Sequence, residues 1–314
     1  MNLHGVAAGQ VRSVIEEATD AARRRAVEIL TARLTELIVA EATGSGRPAG
    51  EPVESVESGG SECGWYLYGL TWPSVAAAMT GAAGMAGAPV RAVPLGDVAA
   101  VVSAVEDERP WGIGDGGDVD LDLLAPRVAD HQRVLEEILE RGPVVPLRFG
   151  VMYPELSALT EALEGGVTEL ARELRRLDGL VEWGLTIECG GIQVPLPKAA
   201  RSENGRQYLS RRRQDREVIE RAETDAAAAA GTVHSALVAR SHDAVVHPSR
   251  RPARAEKPAI FRASYLVTRS ATDAFRAAAG QALAAAPPQL GLSGELTGPW
   301  PAYHFVSVHL GEAV

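Results

Sequence analysis

The first strong pattern in the chain is an apolar stripe with helical spacing over residues 11–42. Apolar residues recur there at the spacing of one face of an α-helix, and the charged residues lie largely off that face. Residues 44–61 are instead rich in Gly, Ser, Pro and Glu, a composition typical of a flexible linker. The pattern predicts an amphipathic helix plus a disordered linker over 1–62. The apolar stripe must be buried against the rest of this chain, a second copy or another protein.

Strand and helix patterns alternate in the part of the chain that follows the linker. The predicted elements are a strand from Trp65, a short helix over 75–85, strands over 90–93 and 98–105, a helix over 119–140 and a strand over 142–150. The helix over 119–140 has Asp118 or Asp120 as its expected N-cap. The order strand, helix, two strands, helix, strand is that of a ferredoxin-like unit.

The second half is predicted to be another, less regular α+β unit. Its predicted elements are a helix from residue 155 to about 177, a strand over 181–189, a long charged helix over 198–230, a loop over 243–257, a strand over 260–268, a helix over 272–286 and two final strands joined at 298–301. Within the strand over 181–189, one face is expected to carry Val181, Trp183, Leu185 and Ile187. No exact internal repeat is visible.

A run of mostly apolar residues from Gly142 to Gly150 predicts a buried central strand. Alternation would place one set of side chains on each face: Val145, Leu147, Phe149 and Val151 on the first, and Val144, Pro146 and Arg148 on the second. An Arg side chain inside a buried strand needs a carboxylate, a backbone carbonyl or water, because an unpaired buried charge is strongly unfavourable. Arg148 is therefore expected to be paired for structural reasons, and a functional role for it is the alternative.

Near the C-terminus, Gly298-Pro299-Trp300-Pro301 holds a tryptophan between two prolines that restrict the backbone. Gly298 allows a tight turn, so the segment is expected to join the two final strands. The second of these strands would alternate Tyr303, Phe305 and Ser307 against His304, Val306 and Val308. Trp300 would serve either as a plug in the hydrophobic core or as an anchor in a protein interface.

Composition and charge exclude several classes of protein. The net charge of -10 disfavours binding to nucleic acid and to anionic membranes, so we expect no nucleic acid partner and no lipid membrane. Cys63 and Cys189 lie far apart and form neither a disulfide framework nor a zinc pattern. Neither a secretory signal nor a membrane span is visible, which favours a cytoplasmic location.

No residue pattern nominates a catalytic site. Glycines between 112 and 117 lack the strand that frames a dinucleotide-binding loop. The aspartates between 115 and 122 are better explained by helix capping than by calcium, because Pro126 stands where an EF-hand loop has its bidentate Glu. The histidines show no metal-ligand spacing. We therefore expect no catalytic residue, no cofactor and no metal, and a protein that is not an enzyme.

Several short motifs, taken in order, resemble the gas vesicle protein family GvpL/GvpF. They are Tyr66-Leu-Tyr-Gly, His131-Gln-Arg-Val-Leu-Glu, the run from Gly142 to Gly150, Gly205-Arg-Gln-Tyr-Leu, Tyr265-Leu-Val and Gly298-Pro-Trp-Pro-Ala-Tyr-His-Phe. The Pro-Leu-Arg-Phe-Gly and Gly-Pro-Trp-Pro motifs are specific as a pair. The resemblance covers roughly residues 64–310, and the helix and linker over 1–62 lie outside it.

The resemblance implies a non-enzymatic protein of gas vesicle assembly that is located in the cytoplasm and at the gas vesicle. It implies two α+β domains with modified ferredoxin-like folds, here over 63–153 and 154–314. The implied partners are the shell protein GvpA and other accessory Gvp proteins. The candidate partner-binding or family-motif residues are Pro146, Arg148, Phe149, Gly150, Gly298, Pro299, Trp300, Pro301, Tyr303 and Phe305.

Two alternatives remain open. The first is a ligand-binding or enzymatic ferredoxin-like protein, with a site between the domains that uses Arg148, His131 and Glu182. The second is an RNA-binding module built on a ferredoxin-like sheet. The acidic net charge and the lack of an aromatic RNA-binding motif argue against this second alternative.

Overall fold

The computed structural model describes residues 64–105, 121–190, 205–248 and 259–307. These residues form two compact units. Unit 1 comprises the described residues up to Asp178 together with those from Val306 onward, and unit 2 comprises Gly179–Phe305. The predicted helix and linker over 1–62 and the Gly- and Asp-rich segment over 112–120, with its two N-cap candidates, lie outside the described residues.

Unit 1 is built on an antiparallel sheet. Its strands are β1 (Gly64–Thr71), β2 (Val90–Leu95), β3 (Val98–Val105), β4 (Val145–Pro146) and β5 (Met152–Tyr153), and its helices are α1 (Pro73–Met79), α2 (Leu121–Arg141), α3 (Leu156–Glu164) and α4 (Val167–Leu177). The strand order is β2-β3-β1-β4, and β5 also pairs with β1. Gly96, with a φ of 60°, forms the tight turn between β2 and β3, a conformation that glycine adopts without strain.

The two central strands of unit 1 are covered on both faces. In β1 every residue from Tyr66 to Thr71 is buried, and in β3 every residue except Ala104 is buried. Successive side chains of a strand point to opposite faces, so helices must pack on both sides of the sheet. Helices α1 and α2 contact this sheet, and so do α3 and α4. Unit 1 therefore includes α3 and α4, which the sequence analysis assigned to its second domain, and the domain boundaries of the sequence analysis stay a prediction.

Unit 2 has its own antiparallel sheet with two long helices. Its strands are β6 (Leu180–Cys189), β7 (Asp243–His247), β8 (Ala259–Thr268) and β9 (Leu292–Trp300), and its helices are α5 (Gly205–Val238) and α6 (Thr272–Ala284). The strand order is β7-β8-β6-β9. In β6, the predicted face of Val181, Trp183, Leu185 and Ile187 is buried, so this prediction is confirmed.

The α+β class is confirmed, and most predicted elements of the described chain are present. The ferredoxin-like description of each sheet stays a prediction. Three helices differ from expectation, and the first is the short helix predicted over 75–85, which is α1 and already ends at Met79. The single helix predicted over 155–177 is broken at Gly165-Gly166 into α3 and α4, because consecutive glycines carry a high entropic cost in a helix. Helix α5 continues past residue 230, since Val233 and Leu237 extend its buried face.

Two strand predictions in unit 2 are wrong. Residues 243–247 were expected to lie in a loop but form β7, because the short run from Ala244 to Val246 pairs with β8 despite its polar and Pro-rich surroundings. The last 25 residues were expected to hold two strands, but β9 is not followed by a second strand within the described residues. Residues 303–305 form turns instead, with Tyr303 N–H donating to the Pro301 carbonyl.

The central strand predicted over Gly142–Gly150 is also much shorter than expected. Only Val145 and Pro146 form strand β4, which pairs with Gly69 and Leu70 of β1. Residues 143–146 are buried in succession, so the predicted alternation of faces is wrong there. The physical reason is that both faces at this position are covered. The Thr71 hydroxyl also bonds to the Pro143 carbonyl at 2.6 Å, outside the ladder.

Candidate functional site

The segment that follows β4, residues 147–150, is the first of the two motif segments. Its backbone is fixed along β1, because Leu147 N–H donates to the Tyr68 carbonyl at 2.9 Å and Leu67 N–H donates to the Val151 carbonyl at 3.0 Å. The close approach depends on Gly69, since a Cβ there would lie 2.8 Å from the Val145 carbonyl oxygen. Glycine in β1 therefore lets β4 lie against the strand.

Two buried side chains, Tyr66 and His131, form hydrogen bonds that hold residues 147–150 in place. Tyr66 Oη lies 2.7 Å from Nδ1 of His131, a side chain of α2. His131 also bonds to the Leu147 backbone in a way that favours the protonated ring, so the imidazole donates this bond to the carbonyl. The neutral ring then accepts the Tyr66 hydroxyl proton at Nδ1. Tyr66 Oη in turn lies 3.5 Å from Gly150 N–H and can accept a weak bond from it.

His131 is a structural histidine by this geometry. It is 3% exposed, and burial lowers its pKa to about 3, although the Leu147 bond partly opposes that shift. A group that stays neutral over the physiological range cannot supply a positive charge to a ligand. Its ring lies edge-on to Phe149, with 5.7 Å between the ring centroids. His131 thus anchors the segment through Leu147 and Phe149.

Arg148 lies between these anchored residues and is exposed. The expectation that it would need a buried partner is wrong, because the strand ends at Pro146 and the Arg148 side chain lies at the surface. Phe149 and Gly150 are half-buried, and Gly150 has a φ of 100°, which favours glycine. The first motif segment is therefore a fixed turn that presents one arginine at the surface.

The second motif segment, residues 298–305, ends β9 and continues into the turn. Gly298 has a φ of 137°, and a Cβ there would lie 2.8 Å from the Glu182 carbonyl oxygen and 3.0 Å from the Trp183 ring. Trp300 pairs with Glu182 in the β6–β9 ladder and is half-buried, while Pro299 before it is exposed. The inward-facing members of the segment are Pro301, Ala302 and Phe305, which are buried, and Tyr303, which is half-buried.

Glu182 of β6 fixes the turn after Trp300. Its carboxylate is 3% exposed and accepts a bond from His304 N–H at 3.0 Å, while Nδ1 of His304 lies 2.5 Å from the other oxygen. Ser264 Oγ lies 3.2 Å from the same ring nitrogen, and Nε2 of His247 lies 2.9 Å from Ser264 Oγ. The backbone donor of His304 is thus used by a carboxylate, so it cannot extend the ladder with a further strand.

In unit 1, a second carboxylate binds the chain just beyond this segment. Glu173 of α4 is 6% exposed and accepts a bond from Ser307 N–H at 2.9 Å. It also accepts two bonds from Arg176, at 2.9 and 2.7 Å. The Arg176 hydrogen bonds lower the pKa of Glu173, since they favour the charged carboxylate, and burial opposes this shift only in part.

The sequence singled out Glu182 but missed the residues grouped with it. His247, Ser264 and His304 come from β7, β8 and the turn after β9, and only cross-strand pairing brings them together. The ligand-site alternative used Arg148, His131 and Glu182. His131 and Glu182 each have a partner within their own unit, while Arg148 is exposed, and the alternative stays an untested hypothesis.

The described residues contain no cluster of three or more His, Cys, Asp or Glu side chains arranged to hold a metal ion. Within the described part of the chain, no helix has both the length and the apolar character needed to cross a membrane. What the geometry does show is a pair of motif segments, each fixed by buried polar groups and each with a few side chains at the surface.

Comparison with known proteins places both segments in one family. Residues 64–307 match the family described as gas vesicle synthesis protein GvpL/GvpF. The chain belongs to this family. Gas vesicle protein L of a Streptomyces species is 31% identical over 255 residues, which covers 77% of this chain and 92% of that protein. Gas vesicle protein F2 of Halobacterium salinarum is 27% identical over 255 residues, which covers 80% of this chain and 95% of that protein.

A solved structure shows that the fold is also shared. The crystal structure of the gas vesicle protein GvpF from an Anabaena species matches with a TM-score of 0.56. The match covers 80% of this chain and all of that chain, at 15% sequence identity. Such a likeness shows the fold of a GvpL/GvpF protein, and it carries no information about individual contacts.

Proposed function

We propose that the protein takes part in gas vesicle assembly as a non-enzymatic factor that binds the shell protein GvpA or accessory Gvp proteins. The observation that carries the proposal is the family match over residues 64–307, which includes both motif segments. The relatives that share this region are named as gas vesicle proteins. A location in the cytoplasm and at the gas vesicle follows from the same proposal.

The geometry supports a division of roles within the candidate residues. Arg148, Pro299 and Trp300 have surface area available for a partner, and Arg and Trp are enriched among the residues that dominate protein interfaces. The other candidates hold the backbone in place, and these are Pro146, Phe149, Gly150, Gly298, Pro301, Tyr303 and Phe305. A rigid backbone lowers the entropy that binding would otherwise cost.

Co-expression with tagged GvpA, followed by affinity capture at moderate salt, tests the proposal. The intact chain should be retained, and Arg148→Ala should reduce the retained amount without changing the melting temperature. Arg141→Ala is the matched control, because Arg141 is also exposed and donates to the Glu137 carbonyl of its own helix at 2.6 Å.

If the intact chain is not captured by GvpA or by any accessory Gvp protein, the proposed binding role is wrong. If Arg148→Ala and Arg141→Ala are both captured as well as the parent, binding does not use the first motif segment. Trp300→Ala then tests the second segment in the same assay, with its melting temperature as the check on folding.

A further inference from the structure

Strand β7 lies at one edge of the unit 2 sheet, and its outer side has no neighbouring strand among the described residues. An edge strand presents a row of backbone N–H and C=O groups that another strand can bind. Each residue of β7 is exposed or half-buried, and Val246 is 54% exposed. β7 is therefore an edge at the protein surface and a candidate for pairing with a further strand.

The other edge strands of the described chain have features that oppose such pairing. Strands β2, β4 and β9 each contain a proline, namely Pro94, Pro146 and Pro299, and proline has no N–H to donate. Strand β5 has only two residues, so it offers few backbone groups. Strand β7 has five residues and contains neither proline nor lysine. Among the described strands, β7 is thus the edge least protected against pairing.

Exposed apolar side chains near β7 lie on the face of the sheet that α5 covers. Val246 pairs with Ala263 of β8, and Ala263 shares its face with Tyr265, two residues further on. Tyr265 Oη lies 2.8 Å from Nδ1 of His234 in α5, so this face is the one covered by α5. Val238 follows His234 by one turn on the same side of the helix and is 42% exposed. Val246 and Val238 therefore leave apolar surface exposed on this face.

We propose that β7 pairs with β7 of a second copy of this chain, antiparallel and about a two-fold axis, so that the two unit 2 sheets form one continuous sheet. An axis perpendicular to the sheet keeps the helix-covered faces of both copies on the same side and places one residue opposite itself. With Val245 on the axis, all five residues of β7 are paired. Any other residue on the axis leaves at least two residues of each β7 beyond the end of the partner strand.

The side chains that this register brings together are compatible. Val245 lies opposite its own copy and Val246 lies opposite Ala244, so the three central pairs are apolar. Asp243 lies opposite His247 of the second copy, whereas a parallel pair would place Asp243 opposite a second Asp243 and bring two like charges together. The antiparallel pair is thus the complementary one in charge as well as in apolar character.

The expected association is weak. Five residues span about 17 Å at 3.4 Å per residue, so one strand pair buries less than the ~800 Å² per partner of a standard stable interface. Backbone hydrogen bonds and apolar contacts of Val246 and Val238 provide most of the attraction, and salt screens these much less than it screens exposed charges. Self-association should therefore increase with protein concentration and change little with salt.

Disulfide cross-linking of the full chain tests the register. The background variant is Cys63→Ser, in which Cys189 stays buried. Val245→Cys would place two thiols opposite each other across the axis, where the Cα separation of about 4.5–5.5 Å allows a disulfide. Asp243→Cys is the matched control in the same strand, because Asp243 is more exposed but would lie about 14 Å from its copy along the strands. Mild oxidation should cross-link Val245→Cys at least about tenfold faster than Asp243→Cys.

Sedimentation velocity over a range of concentrations measures the association without a cross-link. Val246→Lys and Val246→Glu each place two like charges at diagonal positions roughly 7–8 Å apart, so each should weaken self-association by about tenfold or more. An equimolar mixture of the two variants should associate better than either alone, because opposite charges then meet. Val218→Lys in α5 is the matched control, since Val218 is also exposed, at 40%, but lies outside the strand pair.

Thermal melts check that each variant is folded. The proposal is overturned if Val245→Cys and Asp243→Cys cross-link at the same rate, or if neither cross-links. It is equally overturned if the parent is monomeric at every concentration, or if the mixture of Val246→Lys and Val246→Glu associates no better than each variant alone. The purified chain is the only protein in these experiments, so their outcome does not depend on the proposed binding to GvpA or accessory Gvp proteins.

Discussion

Unit 1 and unit 2 share a succession of their first six elements and a strand order but differ in the lengths of those elements. In both, a strand, a helix, two strands, a helix and a strand follow one another, with the fourth strand beside the first. The first helix has 7 residues in unit 1 and 34 in unit 2, and the fourth strand has 2 residues in unit 1 and 9 in unit 2. One topology therefore tolerates very different element lengths.

The two motif segments occupy equivalent places in this shared topology. Residues 147–150 follow β4, the fourth strand of the first sheet, and residues 298–305 include the end of β9, the fourth strand of the second. In each unit a polar pair with at least one buried member fixes the segment: Tyr66 with His131 in unit 1, where both side chains are buried, and Glu182 with His304 in unit 2, where only Glu182 is buried. The two pairs hold equivalent segments but differ in burial, so the two units should respond differently to mutation.

The largest expected effect concerns the backbone of the second segment. Gly298→Ala should reduce the free energy of unfolding of unit 2 by about 2–4 kcal/mol, because the φ of 137° is unfavourable for alanine and the new Cβ meets the Glu182 carbonyl. Urea unfolding measures the loss. Gly280→Ala in α6 is the control, since nothing lies within 4 Å of its Cβ position and alanine favours a helix. Equal stability of the two variants would show that Gly298 is not required.

The second prediction is that the free energy of unfolding of unit 1 depends on pH because of His131. The pKa of His131 is about 3 in the folded chain against 6.5 for an unperturbed histidine, so between these values the unfolded chain binds more protons. The free energy of unfolding of unit 1 should therefore fall as the pH is lowered, by about 2 kcal/mol from pH 7 to pH 5. Urea titrations at both pH values measure the slope.

Two variants show whether His131 causes that slope. His131→Gln removes the titrating group and should flatten the pH dependence of unit 1. His242→Gln changes an exposed histidine of unit 2 and should leave the dependence as it is in the parent. A parent-like slope in His131→Gln would assign the acid sensitivity to other groups, of which Glu173 is one, because its lowered pKa acts in the same direction at lower pH.

The smallest expected effect is the loss of stability when either of two histidine-bonded tyrosines, Tyr66 or Tyr265, is replaced by phenylalanine. Tyr66→Phe should reduce the free energy of unfolding by about 1–3 kcal/mol, because it leaves the buried Nδ1 of His131 without its hydroxyl partner. Tyr265→Phe in unit 2 should cost less, roughly 1 kcal/mol or below, since its partner His234 is only half-buried and can bond to water. Thermal melts of the two variants would contradict this comparison if their losses were equal.

Local sequence patterns predicted those elements whose form depends on local spacing. Strand β6 was found from its alternation, and its buried face is the predicted one. The strand predicted from Gly142 to Gly150 was too long, because the conformation of this run depends on residues far away in the sequence. Tyr66 is 65 positions from His131 and 84 from Gly150. The turn after Trp300 likewise depends on Glu182, 122 positions away from His304. Periodicity contains no information about such pairs.

The candidate site was predicted in part for the same reason. The ten motif residues came from their resemblance to a family, and the family is confirmed, but the resemblance could not separate surface residues from supporting ones. Arg148 was expected to be buried because it stands in an apolar run, and the early end of β4 places it at the surface instead. The supporting residues His247 and Ser264 have no local signal and required the strand register.

The uneven burial of helix α5 should also affect the rate at which its backbone amides exchange hydrogen with solvent. None of residues 209–225 is buried, so the helix bonds of their backbone amides can open by fraying, whereas the amides beyond Ala226 are also held by the core of unit 2. Hydrogen exchange along this one continuous helix should therefore proceed at two distinct rates, with the change near Ala226.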